Sequence, residues 1–442
     1  MEVKELWDRI EKGEKRSEQE HDIKVFMESE RIAKEYEIKW NGEDVLPDEE
    51  MADSLFNAAI EFLVSVGIHY VDEEKVIQIT NDDVDALLQE KRPVGKIGEG
   101  NEAIEIERRK PCDSKRPVYV GGPVGGAVSE DIFKDLHESI AREDVYGIYT
   151  GSLETYDGVQ YSAKNPMTLL TVWREVEWAR EACINAGKPG LALFGPSSSS
   201  QAEQFLSVAN PTGLRQSDVS EVYMPNEIKI NRDVIIKVIH HGKVGNNTIT
   251  GQCPILGIYA ASPEGLAIVE TAEALEGYLV VSPTIHSTGP VHMDYHASSI
   301  PEVLWASNIA SLALSRNSEL TTARVYWNLA GMATTMNLWE TVAQVLSDIY
   351  TGREMIIGPV GRGANRPDMS SGFDSMFVNK VLDTFCGMSC DAIAESIESA
   401  VSKYRDDIPA SPEGVPFKEC YDGLKPKEEY LKMMEDVLSE VA

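Results

Sequence analysis

Long apolar runs are missing from this chain. Nothing approaches the run of about 18 apolar residues that a spanning helix needs, and Met1 to Lys15 is charged throughout, so neither a membrane span nor a secretory signal is expected. Positive charge is scarce as well: 41 Lys and Arg stand against 73 Asp and Glu, a formal net charge of −32. A balance that negative repels phosphate backbones and anionic lipid, which argues against nucleic-acid and membrane partners. Cysteine is thin on the ground, with six in 442 residues (Cys112, Cys183, Cys253, Cys386, Cys390, Cys420). That spacing does not make a disulfide scaffold, and a cytoplasmic protein with reduced thiols is expected. What is present is ordinary globular composition, 42% hydrophobic and 26% charged, in a length that allows one large barrel or two to three smaller domains.

From Glu2 to about Arg109 helix formers dominate, as in the stretches Ser29 to Ile38 and Glu50 to Val64, where apolar residues recur at helical spacing. Asn81 and the acids after it open a further short helix. From Arg116 onward the character changes to short β-rich runs, each followed by a helical stretch. Eight are read: Val118–Val120, Gly147–Thr150, Gly190–Phe194, Glu221–Tyr223, Thr248–Thr250, Tyr278–Val281, Ala323–Trp327 and Met355–Ile357. The intervening helices include Pro166 to Ala186 and Pro263 to Glu276, each closed by a glycine. Eight strand–helix units over about 250 residues are the arithmetic of an α/β fold of the (β/α)8 TIM barrel type. The expected layout is an N-terminal helical extension over residues 1–110, a barrel over 111–390 and a C-terminal helical extension over 391–442 packing on it.

Barrel chemistry sits where strands run into their C-terminal loops. That rule selects Gly121, Gly122, Thr150, Ser152, Phe194, Glu221, Tyr223, Gln252, His286, Tyr326 and Trp327, an unusually aromatic set for a chain with 7% aromatics. The Gly121-Gly-Pro-Val-Gly-Gly126 turn lacks dinucleotide or Walker spacing, and acids in the next helical turn already use its dipole. It reads as a tight βα turn. Cys386 with Cys390, and His292 with His296, are each four apart, but neither pair reaches the three or four ligands zinc needs, and no metal site is expected. Glu221 is different: a carboxylate on a buried strand must pair, with Arg215 or Arg324 as the structural candidates, or act. Phe194, Tyr223, Tyr326 and Trp327 either fill the barrel mouth or, with that acid, form a cage for a cation.

Several stretches carry a family resemblance: Leu6-Trp-Asp-Arg-Ile-Glu-Lys-Gly-Glu-Lys15, Gly121 to Phe133, Asn185-Ala-Gly-Lys-Pro-Gly190 to Gly195-Pro196, Asn226-Glu-Ile-Lys-Ile230, Gly289-Pro-Val-His292, Thr351-Gly-Arg-Glu354, Phe417 to Asp422 and Glu428-Glu-Tyr430. Through them the chain resembles the monomethylamine methyltransferases of methanogenic archaea, which pass a methyl group from an amine to a cognate corrinoid protein. The resemblance implies the barrel, a homo-oligomer, a corrinoid-protein partner and no tightly bound cofactor, the corrinoid being carried by the partner. In that family the residue before the Gly-Pro ending the third strand is pyrrolysine, whose imine ring captures the amine; here it is Phe194. The family acid on the fourth strand matches Glu221. A second acid falls at Gly251, and the family's glutamine and tyrosine near the seventh strand fall at Val325 and Trp327.

A phenyl ring has no electrophilic carbon for an amine to add to, so the resemblance implies a changed substrate. A quaternary ammonium carries its own activation, offers no N–H, and is recognised by aromatic faces with one carboxylate. The expectation is a pyrrolysine-free, corrinoid-dependent methyltransferase for a quaternary or otherwise pre-activated methylated amine. Phe194, Tyr326 and Trp327 would shape the cage, Glu221 would balance charge, and Tyr223, Gln252 and Ser152 would orient the ligand. The alternatives are an enzyme for another methyl donor, such as a methyl ether, thioether or simple methylamine, and a non-catalytic homologue that binds a corrinoid protein or small ligand.

Overall fold

The computed structural model describes residues 1–161, 165–195 and 213–441. Eight parallel strands close into a barrel: β1 (Val118–Gly121), β2 (Gly147–Tyr149), β3 (Ala192–Gly195), β4 (Val219–Tyr223), β5 (Asn247–Gln252), β6 (Ile285–Thr288), β7 (Thr322–Trp327) and β8 (Met355–Val360). Each neighbours the next in sequence, and β8 pairs with β1 to close the ring. This is the (β/α)8 barrel that the alternation of runs and helices predicts.

Four helices precede it, α1 (Val3–Lys12), α2 (Glu18–Glu35), α3 (Glu49–Val66) and α4 (Asn81–Gln89). The barrel region carries α5 (Phe133–Ala141), α6 (Thr168–Asn185), α7 (Arg232–Val244), α8 (Pro263–Val280), α9 (Pro301–Asn317), α10 (Thr335–Thr351) and α11 (Gly372–Phe385). Then come α12 (Cys390–Ser402), the short α13 (Phe417–Cys420) and α14 (Glu428–Val441). The N-terminal part is not purely helical: Gly95–Ile97 pairs with Ile104–Ile106, and their Ile97 and Ile106 side chains join the barrel's interior cluster. Ile68–Tyr70 pairs in parallel with Lys229–Ile230 in the connection after β4, tying the N-terminal segment to the barrel by backbone.

Two cores result. Val120, Ile249, Ile285, Val325 and Ile357 fill the barrel, while the alternate strand positions face the helix layer with α3, α8, α9 and α10. That is the period-two division of a pleated strand placed between two apolar compartments.

The sixth strand corrects the sequence reading. Tyr278–Val281 is not a strand: α8 runs on through Gly277 to Val280, and β6 begins at Ile285. Gly277 reads as a helix terminator, but its reason is packing. A Cβ there would sit 2.6 Å from Nδ1 of His286, so glycine lets α8 approach β6.

The cysteines bring a second correction. Cys112 and Cys390 form a disulfide with their Cα atoms 5.6 Å apart, so not all thiols are reduced; a separation of 278 residues hides that contact from the sequence. Cys386 and Cys390 do not share a helix face, because α11 ends before the first and α12 starts at the second.

Behind β7 lies a buried charge cluster. Asp348 on α10 pairs with Arg324 at 2.8 Å and with Arg353 at 3.1 Å, and accepts the Tyr326 hydroxyl at 2.6 Å. All four side chains are shut off from solvent. Removing one partner of a buried pair leaves an uncompensated charge. Asp348→Ala is expected to cost about 3 to 5 kcal/mol of unfolding free energy in chemical denaturation.

Candidate active site

At the C-terminal ends of the strands a cavity of about 220 Å³ opens into the barrel. Its wall is built from successive strand ends: Tyr223 from β4, Gly251 from β5, Ser287 from β6, and Val325 with Trp327 from β7. Gln252, Cys253, Asn226, Met224, Thr288, Gly289 and Val124 complete the rim, and no formally charged side chain is among the described lining residues.

Local geometry explains how these groups converge. Gly251 packs against β6 so closely that a Cβ would lie 2.1 Å from the Ser287 carbonyl oxygen and 2.5 Å from its Oγ. Gly289 does the same for Trp327, whose Nε1 would be 2.6 Å from a Cβ. Val325 pairs with Ile357 but Trp327 with Val360, so β8 carries an extra residue opposite Tyr326, a bulge at the barrel rim. Ser298 clamps the Trp327 backbone, accepting its N–H at 2.9 Å and donating its own N–H to the carbonyl at 2.8 Å. On the other side, Asn226 donates to the Cys253 carbonyl at 2.7 Å and accepts the Cys253 N–H at 2.9 Å, locking the connection after β4 to the one after β5. Cys253 is a neutral lining group, because burial pushes its thiol up to about 12.

Behind the wall, inside the barrel, sit Glu221, Tyr149 and Phe194. The Tyr149 hydroxyl donates to the Tyr223 hydroxyl at 3.0 Å, and the Glu221 carboxylate acts on it electrostatically. The Tyr223 hydroxyl is in turn 3.1 Å from Ser287 Oγ. Burial, with Glu221 and Tyr223 adding, raises the Tyr149 phenol well above its usual range. Burial also lowers the Lys237 ammonium to about 8, while Glu221 and Asp233 favour its charge. The two arginines that the sequence offers as partners for Glu221 are engaged elsewhere: Arg215 pairs with Glu99 and Arg324 with Asp348.

The predicted site residues divide into those the structure gathers and those it does not. Tyr223, Gln252 and Trp327 line the cavity. Gln252 also reaches outward, its Nε2 donating to Glu276 at 2.6 Å. Glu221 stands behind the wall. Phe194 is buried in the barrel interior, its ring 5.7 Å from that of Tyr149 and seated on Gly147, and is not among the lining residues. Tyr326 does not shape a cage: it points out of the barrel to Asp348. Ser152 belongs to the loop after β2, where its N–H donates to the Gly126 carbonyl at 3.0 Å, away from the described cavity wall. His286 faces α8, and burial, with Arg353 adding, pushes it down to about 3.

Tyr149 and Ser287 escape the sequence reading. Ser287 is lost with the misplaced sixth strand. Tyr149 is legible from alternation, since with Ile148 in the helix layer its neighbour must face inward.

The family model for monomethylamine methyltransferase MtmB matches residues 1–442. Monomethylamine methyltransferase MtmB2 of Methanosarcina acetivorans is 29% identical over 433 residues, covering 97% of this chain and 94% of that protein. MtmB1 of Methanosarcina barkeri is likewise 29% identical over 433 residues, with the same coverage of both. The crystal structure of the Methanosarcina barkeri monomethylamine methyltransferase superposes with a TM-score of 0.95 at 28% identity, covering 99% of this chain and 97% of that one, and a crystal structure of a hydroxylamine MtmB complex gives the same values. The site is thus the mouth of a methyltransferase barrel. The chain belongs to the monomethylamine methyltransferase MtmB family.

The neighbours Tyr326 and Trp327 are expected to separate experimentally. Tyr326→Phe removes a hydrogen bond to a buried carboxylate and lowers stability by about 1.5 to 3 kcal/mol in denaturant titrations, with ligand affinity unchanged. Trp327→Ala removes a wall of the cavity and not a buried hydrogen bond, and is expected to lower stability less than Tyr326→Phe does in the same titrations.

Proposed function

We propose that this chain is a pyrrolysine-free, corrinoid-dependent methyltransferase that takes a methyl group from a quaternary or otherwise pre-activated methylated amine. The acceptor is Co(I) of a corrinoid carried by a cognate partner protein, and the setting is the cytoplasm of a cell using methylamine-type substrates. The family supports methyl transfer from a methylamine. The observation that carries the choice of donor is the cavity wall: two aromatic rings, the neutral polar groups of Ser287, Thr288, Asn226, Gln252 and Cys253, and apolar groups, with no charged side chain among the described lining residues. A wall of aromatic and neutral groups suits a cation held without a direct ion pair. Trp327 and Tyr223 bring aromatic rings to the cavity, and a ring–cation contact is worth about 0.5 to 2 kcal/mol against a quaternary ammonium.

The bond changes fit that wall. Co(I) supplies the electron pair for the new cobalt–carbon bond as the carbon–nitrogen bond breaks. The pair of the broken bond leaves with a neutral tertiary amine, so no proton is needed at the leaving nitrogen. Phe194, where the family resemblance expects pyrrolysine, supplies bulk behind the wall and no electrophile for capture of an amine. Glu221, one hydroxyl removed from the cavity, supplies the opposite charge.

Methyl transfer to cob(I)alamin, followed by its visible absorbance across monomethylamine, quaternary amines, betaines and methyl ethers, tests the reading. Turnover is expected with quaternary substrates; turnover of monomethylamine alone overturns it. Trp327→Ala is expected to raise KM about tenfold with a smaller effect on kcat, because a cation–π contact holds the ground state as well as the transition state.

A further inference from the structure

At the opposite end of the barrel, where the strands begin, lies a second cavity of about 860 Å³. Its walls are the segment after α4, the Gly95–Ile97 arm of the hairpin that plugs the barrel, and the entry to three barrel strands: Asn247 of β5, Thr284 before β6 and Thr321 before β7. The plug is tightly seated. A Cβ on Gly95 would lie 2.5 Å from the Thr284 methyl, and Asn247 Nδ2 donates to the Lys96 carbonyl at 2.8 Å. From Asn247 to Gly251 β5 spans about 13 Å, so a ligand held here does not touch the methyl-transfer cavity.

The charge of this cavity is the reverse of the chain's. Four cations line it, Lys91, Arg92, Lys96 and Arg108, against two acids, Glu90 and Glu319, in a chain of net charge −32. The acids stand outermost: their side chains are 56% and 82% exposed, whereas those of Arg92 and Arg108 are 14% and 26% exposed. Arg108 is already spent, donating to the Ser318 and Leu320 carbonyls beyond α9 and pairing with the buried Glu354. Arg92 is fixed with donors to spare. Its guanidinium lies 4.7 Å from the centre of the Tyr278 ring and donates to Ser282 at 2.9 Å and to Glu90 at 2.6 Å, which uses two of its five N–H groups. Lys91 and Lys96 are exposed, and neither ammonium has a hydrogen-bond or ion-pair partner among the described residues.

We propose that this cavity binds a small anion carrying two or more negative charges, of the phosphate or polycarboxylate class, with Lys91, Lys96 and Arg92 as its cationic contacts. Its volume is that of a small-molecule site and exceeds what a monatomic anion fills. Two mobile ammonium groups and one immobilised guanidinium fork match several oxyanion oxygens at once, which a singly charged ligand does not supply. Glu90, more than half exposed, turns to solvent when a ligand oxygen takes its place on Arg92. The surrounding acidic chain repels such an anion, so a locally basic cleft is where it concentrates.

Inorganic diphosphate and citrate, titrated calorimetrically into the full-length protein in about 50 mM sodium chloride, test the inference. At least one is expected to bind with a Kd of about 1 mM or tighter, and the tighter of the two names the headgroup. Lys91→Gln and Lys96→Gln should each weaken it several-fold, and the double variant about tenfold or more; both side chains are exposed, so the fold is preserved. Lys432→Gln on the exposed face of α14 removes the same charge from the chain and should leave the affinity unchanged. Three results overturn the site: no binding of either anion at about 10 mM, an affinity that the double variant leaves intact, or an equal loss in Lys432→Gln. Each of them leaves the methyl-transfer reading standing, because the two cavities share no lining residue.

Discussion

A strand in a closed parallel barrel has two faces, and a shift of one residue exchanges them. Everything at this site depends on that division. Trp327 reaches the cavity because Tyr326 and Arg324, on the other face of β7, are held in the helix layer by Asp348. The buried ion cluster thereby sets the register of the strand whose indole forms the cavity wall. The same division places Ser287 inside and His286 outside on β6, and Gly251 inside with Gln252 reaching α8 on β5. A buried ion pair is often no better for stability than packed apolar groups, but it specifies one arrangement strongly, because the shifted register would strand its charges among aliphatic side chains.

Most of the barrel is legible in the sequence, because buried parallel strands are short apolar runs punctuated by glycine and proline, and helices fill the intervals. The exception is instructive. Around residue 280 the chain has two apolar segments a few residues apart, and a glycine that resembles a helix end lies between Ala274 and Tyr278. Only the contact with His286 shows that Gly277 serves packing and not termination. The error of one element removed Ser287 from the site and left its outward neighbour His286 in its place. The aromatic residues are a second instance: composition and position at strand ends nominate Tyr326 and Trp327 equally, and only the facing of the strand separates them. The disulfide between Cys112 and Cys390 lies beyond any local signal, since it joins the entry to the barrel with the first turn of α12.

The electrostatics run counter to the composition. A chain of net charge −32 attracts cations from a distance. Yet the described wall of its cavity carries no formally charged side chain, and the carboxylates of Glu221 and Glu276 stand behind it, the second held by Gln252. In a low-dielectric interior a direct carboxylate would bind a cation strongly but would hold it as a tight ion pair, whose stabilisation is retained only if the transition state keeps the same charge at nitrogen. Transfer of a methyl group from a quaternary ammonium removes that charge as the bond breaks. For the proposed quaternary donor, aromatic rings, which stabilise the cation less steeply, are lost at smaller cost in the transition state, so such a wall favours turnover over mere binding.

The wall and an additional acid are also mutually exclusive in space. Ser287 approaches β5 only because position 251 is glycine: a Cβ there would already be 2.5 Å from Oγ and 2.1 Å from the carbonyl oxygen, far inside van der Waals contact. A carboxylate at 251 would therefore have to push β6 away, breaking the Tyr223–Ser287 contact at 3.1 Å. A barrel of this shape can present an acid from β5 directly to its ligand, or it can pack the hydroxyl of β6 against a glycine and set it beside Tyr223 of β4. It cannot do both, and the close packing of Gly251 on Ser287 commits this chain to the second.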